Sequence, residues 1–256
     1  MDWILFVALA STAGITAFTS GLLGAGGSIL FIPLVLYALP ALIGKPIETH
    51  QATALSLVQG VSAVLGGGMR FYQSGQVDKR ELLWAAPIMA AAGLGGGLLS
   101  AIISARALLL VFAVMTSCAA ALLVLRPRPI SSLGDNGRRA AGETAFACIG
   151  FLGGAVGVGA GFLSIPTLIY VLGVPIRVAN GTGLALSLSL AAPGLAGKAL
   201  TGQVPWIPAA AVAAGAIIGG MVGSRVNARV PTGVLRGALA ILVALLSARV
   251  WLDVIG

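Results

Sequence analysis

Long apolar runs constrain the fold of this chain more than any other feature of its sequence. Ten such runs, bounded by charged loops or by loops rich in proline and glycine, divide the 256 residues. Six or seven of them approach the roughly 17–25 residues that a helix needs to cross the hydrocarbon of a bilayer. Only 9% of the residues are charged and 58% are hydrophobic, which leaves no room for a sizeable domain outside the membrane. We therefore predict an all-α integral membrane protein.

Three of the apolar runs are too short for an upright crossing. They cover residues 28–43, 144–157 and 161–173, and each adjoins a cluster of glycines. An interrupted helix is tolerated at membrane depth where it lies against protein or a watery cavity. Each short run therefore fits a half-helix or re-entrant element as well as a tilted span. Counting such broken or re-entrant elements, we expect about eight transmembrane helices.

The two halves of the chain repeat one another. The motif Gly24-x-Gly26-Gly27-Ser28-x4-Pro33 recurs at a constant offset of 133 residues as Gly157-x-Gly159-Ala160-Gly161-x4-Pro166. We predict a first membrane repeat at residues 1–125, a linker at 126–141 and a second repeat at 142–256. Because each half holds about five helical elements, an odd number, the repeats should be inverted, with their glycine breaks meeting near the midplane.

Charged residues set the expected topology. The 15 basic and 7 acidic side chains lie mostly in short loops, which is typical of topology signals and not of a nucleic-acid-binding surface. The linker around Asp135 carries four arginines and is predicted to be cytoplasmic. Alternation then places 11 basic residues inside and 4 outside, and puts the matched loops at Gln76 and Gln203 on opposite faces of the membrane. If each short pair forms a re-entrant hairpin instead, six full crossings remain and the two loops share one face.

The paired glycine breaks form the first candidate site. Each break is followed by the start of a short helix, where unpaired N–H groups carry a partial positive charge and bind anions. Ser28 adds a hydroxyl at the first start, whereas its counterpart Gly161 offers only backbone. The alternative role for each glycine is close packing of helices through small residues. The residues expected to bind substrate here are Gly26, Gly27, Ser28, Gly159 and Gly161.

Amide and hydroxyl side chains recur at the start of the next helix in each half. Gln51 aligns with Asn180, and Thr53 aligns with Thr182. Neutral donors at similar depth suit a small oxyanion that must also leave, so these four residues are further candidates for substrate binding. Their alternative role is to cap their own helices.

Lys198 is one of the few charges inside an apolar run. Its position near a helix end predicts that it snorkels to the interface, and a cation in an anion-collecting vestibule is the alternative. Cys118 and Cys148 are expected to be small buried core residues. With a single histidine, His50, they supply no metal, haem or dithiol site. We expect no cofactor and no enzymatic activity.

The duplicated motif, with Thr53 and Asn180-Gly-Thr182 downstream, resembles the sulfite exporter TauE/SafE family of membrane permeases over essentially the whole chain. The family pattern usually has three consecutive glycines before the apolar tetrad and proline. Here Ser28 replaces the third of them in the first half, and Ala160 replaces the middle one in the second. The resemblance implies transport of sulfur-containing anions, such as sulfite, sulfoacetate or other organosulfonates, across a bacterial inner membrane without ATP hydrolysis.

We expect a secondary transporter that exports its substrate and works by alternating access between the two halves. The alternatives are a passive small-anion channel and an uptake permease for another organic anion. The expected partners are the substrate anion and the lipid bilayer, with no nucleic acid. Coupling to protons and assembly as a homodimer are two further hypotheses.

Overall fold

The computed structural model describes residues 3–23, 28–125, 134–159 and 161–227, and within these ranges the chain forms helices and turns without strands. The predicted all-α fold is confirmed for this part of the chain. The last apolar run, 233–252, falls outside it. The α-helices are α1 (Trp3–Leu23), α2 (Ser28–Pro33), α3 (Leu39–Ile43), α4 (Thr49–Gln73), α5 (Lys79–Leu99), α6 (Ala105–Leu125), α7 (Asp135–Val156), α8 (Gly161–Pro166), α9 (Ile176–Leu200) and α10 (Trp206–Asn227).

Five of the described helices are long and apolar enough to cross a membrane, namely α1, α4, α5, α9 and α10. Three shorter apolar helical segments accompany them, at Ser28–Ile43, Ala105–Ala119 and Gly161–Val171. The first and third of these coincide with short runs of the sequence, and they begin directly after the two glycine motifs. The chain is therefore a multi-pass helical membrane protein.

Helix α7 is longer than its apolar run indicates. It begins at Asp135 and has 22 residues, so the last part of the expected linker is helical and the apolar run at 144–157 is the second part of a longer helix. Its polar first turns include Arg139, whose Nε lies 3.1 Å from Glu143 Oε1 one turn later. Such a pair stabilises a helix outside hydrocarbon, which is why the helix extends beyond the apolar stretch.

Proline shapes the two short helices in the same way. Pro33 ends α2 and Pro166 ends α8, and each is followed by a π-helical turn, Leu34–Ala38 and Thr167–Val171. Proline lacks an N–H donor and its ring displaces the carbonyl four residues before it, so the α-helical hydrogen-bond pattern cannot continue unchanged. The matched prolines of the duplicated motif thus produce matched deviations in the backbone.

Glycines allow the long helices to approach one another closely. Helix α1 packs along α10, and α5 packs along α7. A Cβ atom on Gly219 would overlap the carbonyl oxygen of Gly14, and a Cβ on Gly96 would overlap that of Phe151. These glycines serve helix packing, which was the alternative role considered for the glycines of the duplicated motif.

Helices α4 and α9 form the centre of the described bundle. Each is packed against the other, while α10 covers α4 and α5 covers α9. Residues 52–59 of α4 are all buried, and so are most residues of α9 that face it. The two central helices therefore contribute much of the interior, and they carry most of the candidate site.

The two cysteines do not lie in the core. Cys118 on α6 and Cys148 on α7 are both exposed, so their expected burial is wrong. An apolar run in a membrane protein has a lipid-facing side as well as a side that packs on other helices, and apolar residues occupy both. Burial therefore does not follow from an apolar neighbourhood in the sequence.

Candidate functional site

The two glycine motifs meet inside the protein. Gly159 donates its backbone N–H to Ser28 Oγ, with a nitrogen–oxygen distance of 2.7 Å. Ser56 on α4 donates its hydroxyl to the carbonyl oxygen of Ser28, at 3.3 Å. Ser28 and Ser56 are fully buried, and Gly159 and Gly161 are buried as well. We refer to Ser28, Ser56 and Gly159 as the junction. Gly26 and Gly27 lie outside the described residues.

Gly157 brings the second motif against the backbone of α4. Its φ angle is +83°, and its N–H donates to the carbonyl oxygen of Gly153 at 2.8 Å, which ends α7. Such a left-handed residue after a helix is most often glycine. A Cβ atom at this position would overlap the carbonyl group of Thr53. The chain therefore needs glycine here both for its backbone angle and for its contact with α4.

Thr53 and Thr182 lie near the starts of the two central helices, and each bonds to a residue near the C-terminal end of the other helix. Thr182 Oγ1 accepts a hydrogen bond from the N–H of Asp78, which follows α4, at 2.8 Å. Thr53 Oγ1 accepts one from Nζ of Lys198, near the end of α9, at 3.1 Å. Thr53 also donates its hydroxyl to His50 O at 2.8 Å. Both threonines thus do more than cap their own helices. The matched amides Gln51 and Asn180 are half-buried near the starts of α4 and α9.

Lys198 is fully buried, so the prediction that it snorkels to the interface is wrong. Its ammonium group donates three hydrogen bonds, to Ser100 Oγ at 2.9 Å, Thr53 Oγ1 at 3.1 Å and Gln203 Oε1 at 3.2 Å. Helix α5 comes very close to the last turns of α9 at Gly197, where an added Cβ would lie 2.8 Å from the carbonyl oxygen of Leu94. This close packing and the three hydrogen bonds hold the lysine side chain inside the bundle.

All three hydrogen-bond partners of Lys198 among the described residues are neutral. A buried ammonium ion without a counter-charge is costly, and such residues in membrane segments mark substrate or ion pathways. The alternative interpretation of the sequence was a cation in an anion-collecting vestibule. In the structure, Lys198 is bonded to Thr53, which is one of the candidate substrate-binding residues. An anion bound beside it would supply the missing charge.

Sequence reasoning missed the other polar residues of this region. Ser56, Gln59 and Ser62 are buried at three-residue intervals on α4, following Thr53. Ser100 and Gln203 bind Lys198 from the ends of other elements. The regular spacing of polar residues inside the apolar run at 51–69 was a signal that could have identified the first three. Ser100, by contrast, meets Lys198 and Gln203 across separations of 98 and 103 residues.

Two cavities flank the centre and differ in character. The larger, of about 950 Å³, is an open groove between α4, α5 and α9 with an almost entirely apolar lining that includes Leu65 and Leu188. A smaller pocket of about 360 Å³ lies between the C-terminal turns of α4 and α10 and is lined by Arg70 and Arg225. Both arginines belong to loops that are predicted to be cytoplasmic. Of these two cavities, the second has the charge to attract an anion.

Within the described ranges, no group of three or more histidine, cysteine or acidic residues comes together that could hold a metal ion. His50 Nε2 instead lies 3.0 Å from the carbonyl oxygen of Ile103. The class of protein that the fold defines is a multi-pass helical membrane protein with enclosed polar groups.

Comparison with known proteins identifies the family. The sequence model of the sulfite exporter TauE/SafE family matches residues 9–250, so the chain belongs to this family. Two proteins from Xylella fastidiosa, strains 9a5c and Temecula1 / ATCC 700964, are each named "Probable membrane transporter protein" and are each 29% identical over 178 residues. The alignments span 68% of this chain and 66% of each relative, just under two thirds of their length. No solved structure matches the chain.

Proposed function

We propose that the protein is a secondary transporter that exports small sulfur-containing anions, such as sulfite, sulfoacetate or other organosulfonates, from the cell. The observation that carries the proposal is the fully buried Lys198, whose described partners are all neutral and include Thr53. A buried positive charge without a counter-ion is suited to hold an anion. The family description names sulfite, which supports the sulfur oxyanion as the substrate class.

The substrate is bound between the two glycine breaks, near the junction. Backbone N–H groups after each break and the neutral side chains of the neighbouring helices donate to its oxygens, while Lys198 balances its charge. The meeting of Ser28 with Gly159 supports this placement because it brings both breaks to one point. The residues assigned to the substrate are Gly26, Gly27, Ser28, Gln51, Thr53, Gly159, Gly161, Asn180 and Thr182.

Alternating access arises from two inverted repeats that rock against each other. Three features of the packing support this arrangement. Helix α1 packs on α10, and its counterpart α7 packs on α5. Helix α4 contacts α10 as α9 contacts α5. Helix α2 contacts α4 as α8 contacts α9. Thr53 and Thr182 bind the turns that end the opposite central helix, which is what a two-fold axis between α4 and α9 requires.

Transport by purified protein in proteoliposomes tests the function. We expect saturable uptake of sulfite or an organosulfonate with counterflow, because a carrier has one site that alternates between faces. A substrate at about 100 times its dissociation constant should also stabilise the protein by roughly 2.7 kcal/mol. Flux that rises linearly with concentration would favour a channel, and a response to carboxylates alone would favour an uptake permease for another organic anion.

The inverted topology predicts opposite locations for two matched turns. Ser74 and Thr201 are both exposed and occupy equivalent positions after α4 and α9. We expect cysteines introduced at the two positions, one at a time, to react with an impermeant maleimide from opposite sides of the inner membrane. The background requires Cys118→Ala and Cys148→Ala, since both native cysteines are exposed. A cysteine at Asn136 should react from the cytoplasm, where the linker near Asp135 is predicted to lie. Labelling of both turns from one side contradicts the inverted arrangement.

A further inference from the structure

Gln59 and Ser164 stand out because their buried polar atoms have no hydrogen-bond partner. Within the described residues, the unpartnered buried atoms are both Nε2 and Oε1 of Gln59 and Oγ of Ser164. Both residues are fully buried. An amide or hydroxyl group that is removed from water without a partner costs free energy, and in hydrocarbon no water is at hand to satisfy it. Such groups are exceptional in folded proteins and call for an explanation.

Gln59 lies one helical turn from the junction, and Ser164 follows its member Gly159 by five residues. Gln59 follows Ser56 of the junction by three residues on α4, and residues at this spacing are neighbours on one side of a helix. Side chains lean toward the N-terminus of their helix, so the Gln59 amide extends back over the turn of Ser56. Ser164 follows the buried Gly161 by three residues on α8. One unpartnered group thus comes from each repeat.

Gln59 also lies near the middle of α4, a helix of 25 residues that begins at Thr49. The polar residues Thr53, Ser56 and Gln59 lead inward from Lys198 toward this depth. A substrate that passes between the faces of the membrane must cross this level. The unpartnered amide therefore lies where a midplane binding site is expected in transporters built from repeats.

We propose that Gln59 is a specificity-determining ligand of the transported anion and that Ser164 extends the same site on the second repeat. This inference rests on the proposed function. The two N–H bonds of the amide and the hydroxyl of Ser164 donate to oxygens of the anion. The amide oxygen can only accept, so it selects an anion that carries its own O–H or N–H donor. The preferred substrates are hydrogensulfite and hydroxy-substituted sulfonates, ahead of anions that have acceptors alone.

The replacement Gln59→Leu separates this role from a structural one. Leu is close to Gln in size and removes the unpartnered amide, so the melting temperature without ligand should stay the same or rise. Affinity for hydrogensulfite should fall about tenfold or more, since a hydrogen bond to a charged group is lost. Ser164→Ala, which removes a single hydroxyl group, should also lower the affinity for hydrogensulfite. The control is Ser187→Ala on α9, a buried serine whose hydroxyl is already bonded to Gly183 O at 2.9 Å. This control should leave affinity unchanged.

A matched pair of probes tests the selectivity. The wild-type protein should bind 2-hydroxyethanesulfonate more tightly than 1-propanesulfonate, which has a methyl group in place of the hydroxyl, and Gln59→Leu should remove the preference. If wild-type protein binds none of the sulfur anions, the proposed function itself fails. If wild-type protein binds them and both Gln59→Leu and Ser164→Ala bind with unaltered affinity and selectivity, only the present inference is overturned.

Discussion

Replacing Lys198 with Met is expected to abolish sulfite-dependent stabilisation and transport while the protein remains folded. Met has a similar length and an apolar end, and exchanging a buried charge for an apolar group of similar volume is often neutral or stabilising. The groups around it keep other partners, because Thr53 still bonds to His50 O at 2.8 Å and Ser100 to Gly97 O at 2.7 Å. The loss should therefore appear in substrate binding and not in folding.

The size of the loss follows from the missing charge. Truncating one member of a buried, hydrogen-bonded charge pair costs about 2–5 kcal/mol of binding free energy, which corresponds to roughly 30-fold to several-thousand-fold in Kd. Isothermal titration with sulfite and melting curves over a concentration series measure it. The control is Lys79→Met, which removes an exposed lysine whose ammonium lies 5.5 Å from the centre of the Tyr72 ring. Lys198→Met protein that binds sulfite with wild-type affinity would show that the buried cation has no part in recognition.

Replacing Gly157 with Ala is expected to destabilise the protein strongly. The left-handed backbone angle of +83° is unfavourable for alanine by about 1–2 kcal/mol. The added methyl group would overlap the carbonyl of Thr53 in α4, and overpacking of this kind costs typically about 1–3 kcal/mol more. Against a typical stability of roughly 5–15 kcal/mol, we expect a large drop in melting temperature or loss of monodisperse protein on size-exclusion chromatography.

Gly173→Ala is the matched control for Gly157→Ala. Its φ angle is +74°, close to that of Gly157, but no atom lies within 4 Å of an added Cβ. It should therefore show the backbone strain alone and a much smaller shift in melting temperature. Equal shifts for the two variants would mean that the methyl group added at Gly157 costs nothing beyond backbone strain. The gap between Gly157 and α4 would then be wider than in the structure.

Much of the architecture follows from the sequence by itself. The apolar runs determine a multi-pass helical protein because hydrocarbon leaves a spanning segment no other way to satisfy its backbone. The duplicated motif marks where the helices are interrupted, and α2 and α8 begin at Ser28 and Gly161, directly after the glycine clusters. The prolines of that motif are matched too, and each is followed by a π-helical turn in the structure. The same residues also carry the resemblance to the family whose sequence model matches residues 9–250.

The surroundings of individual side chains were decided only by the tertiary structure. Lys198, near the end of its helix, and Cys148, inside an apolar run, were placed wrongly by sequence reasoning: the lysine is enclosed and the cysteine is exposed. Hydropathy cannot separate the two cases, because the lipid and the protein interior are equally apolar and select the same residues. The junction joins Ser28 to Gly159, and the lysine joins Thr53 to α9, across separations of 131 and 145 residues. No local pattern specifies such contacts, since they depend on which faces of α4 and α9 are turned toward each other when the whole bundle packs.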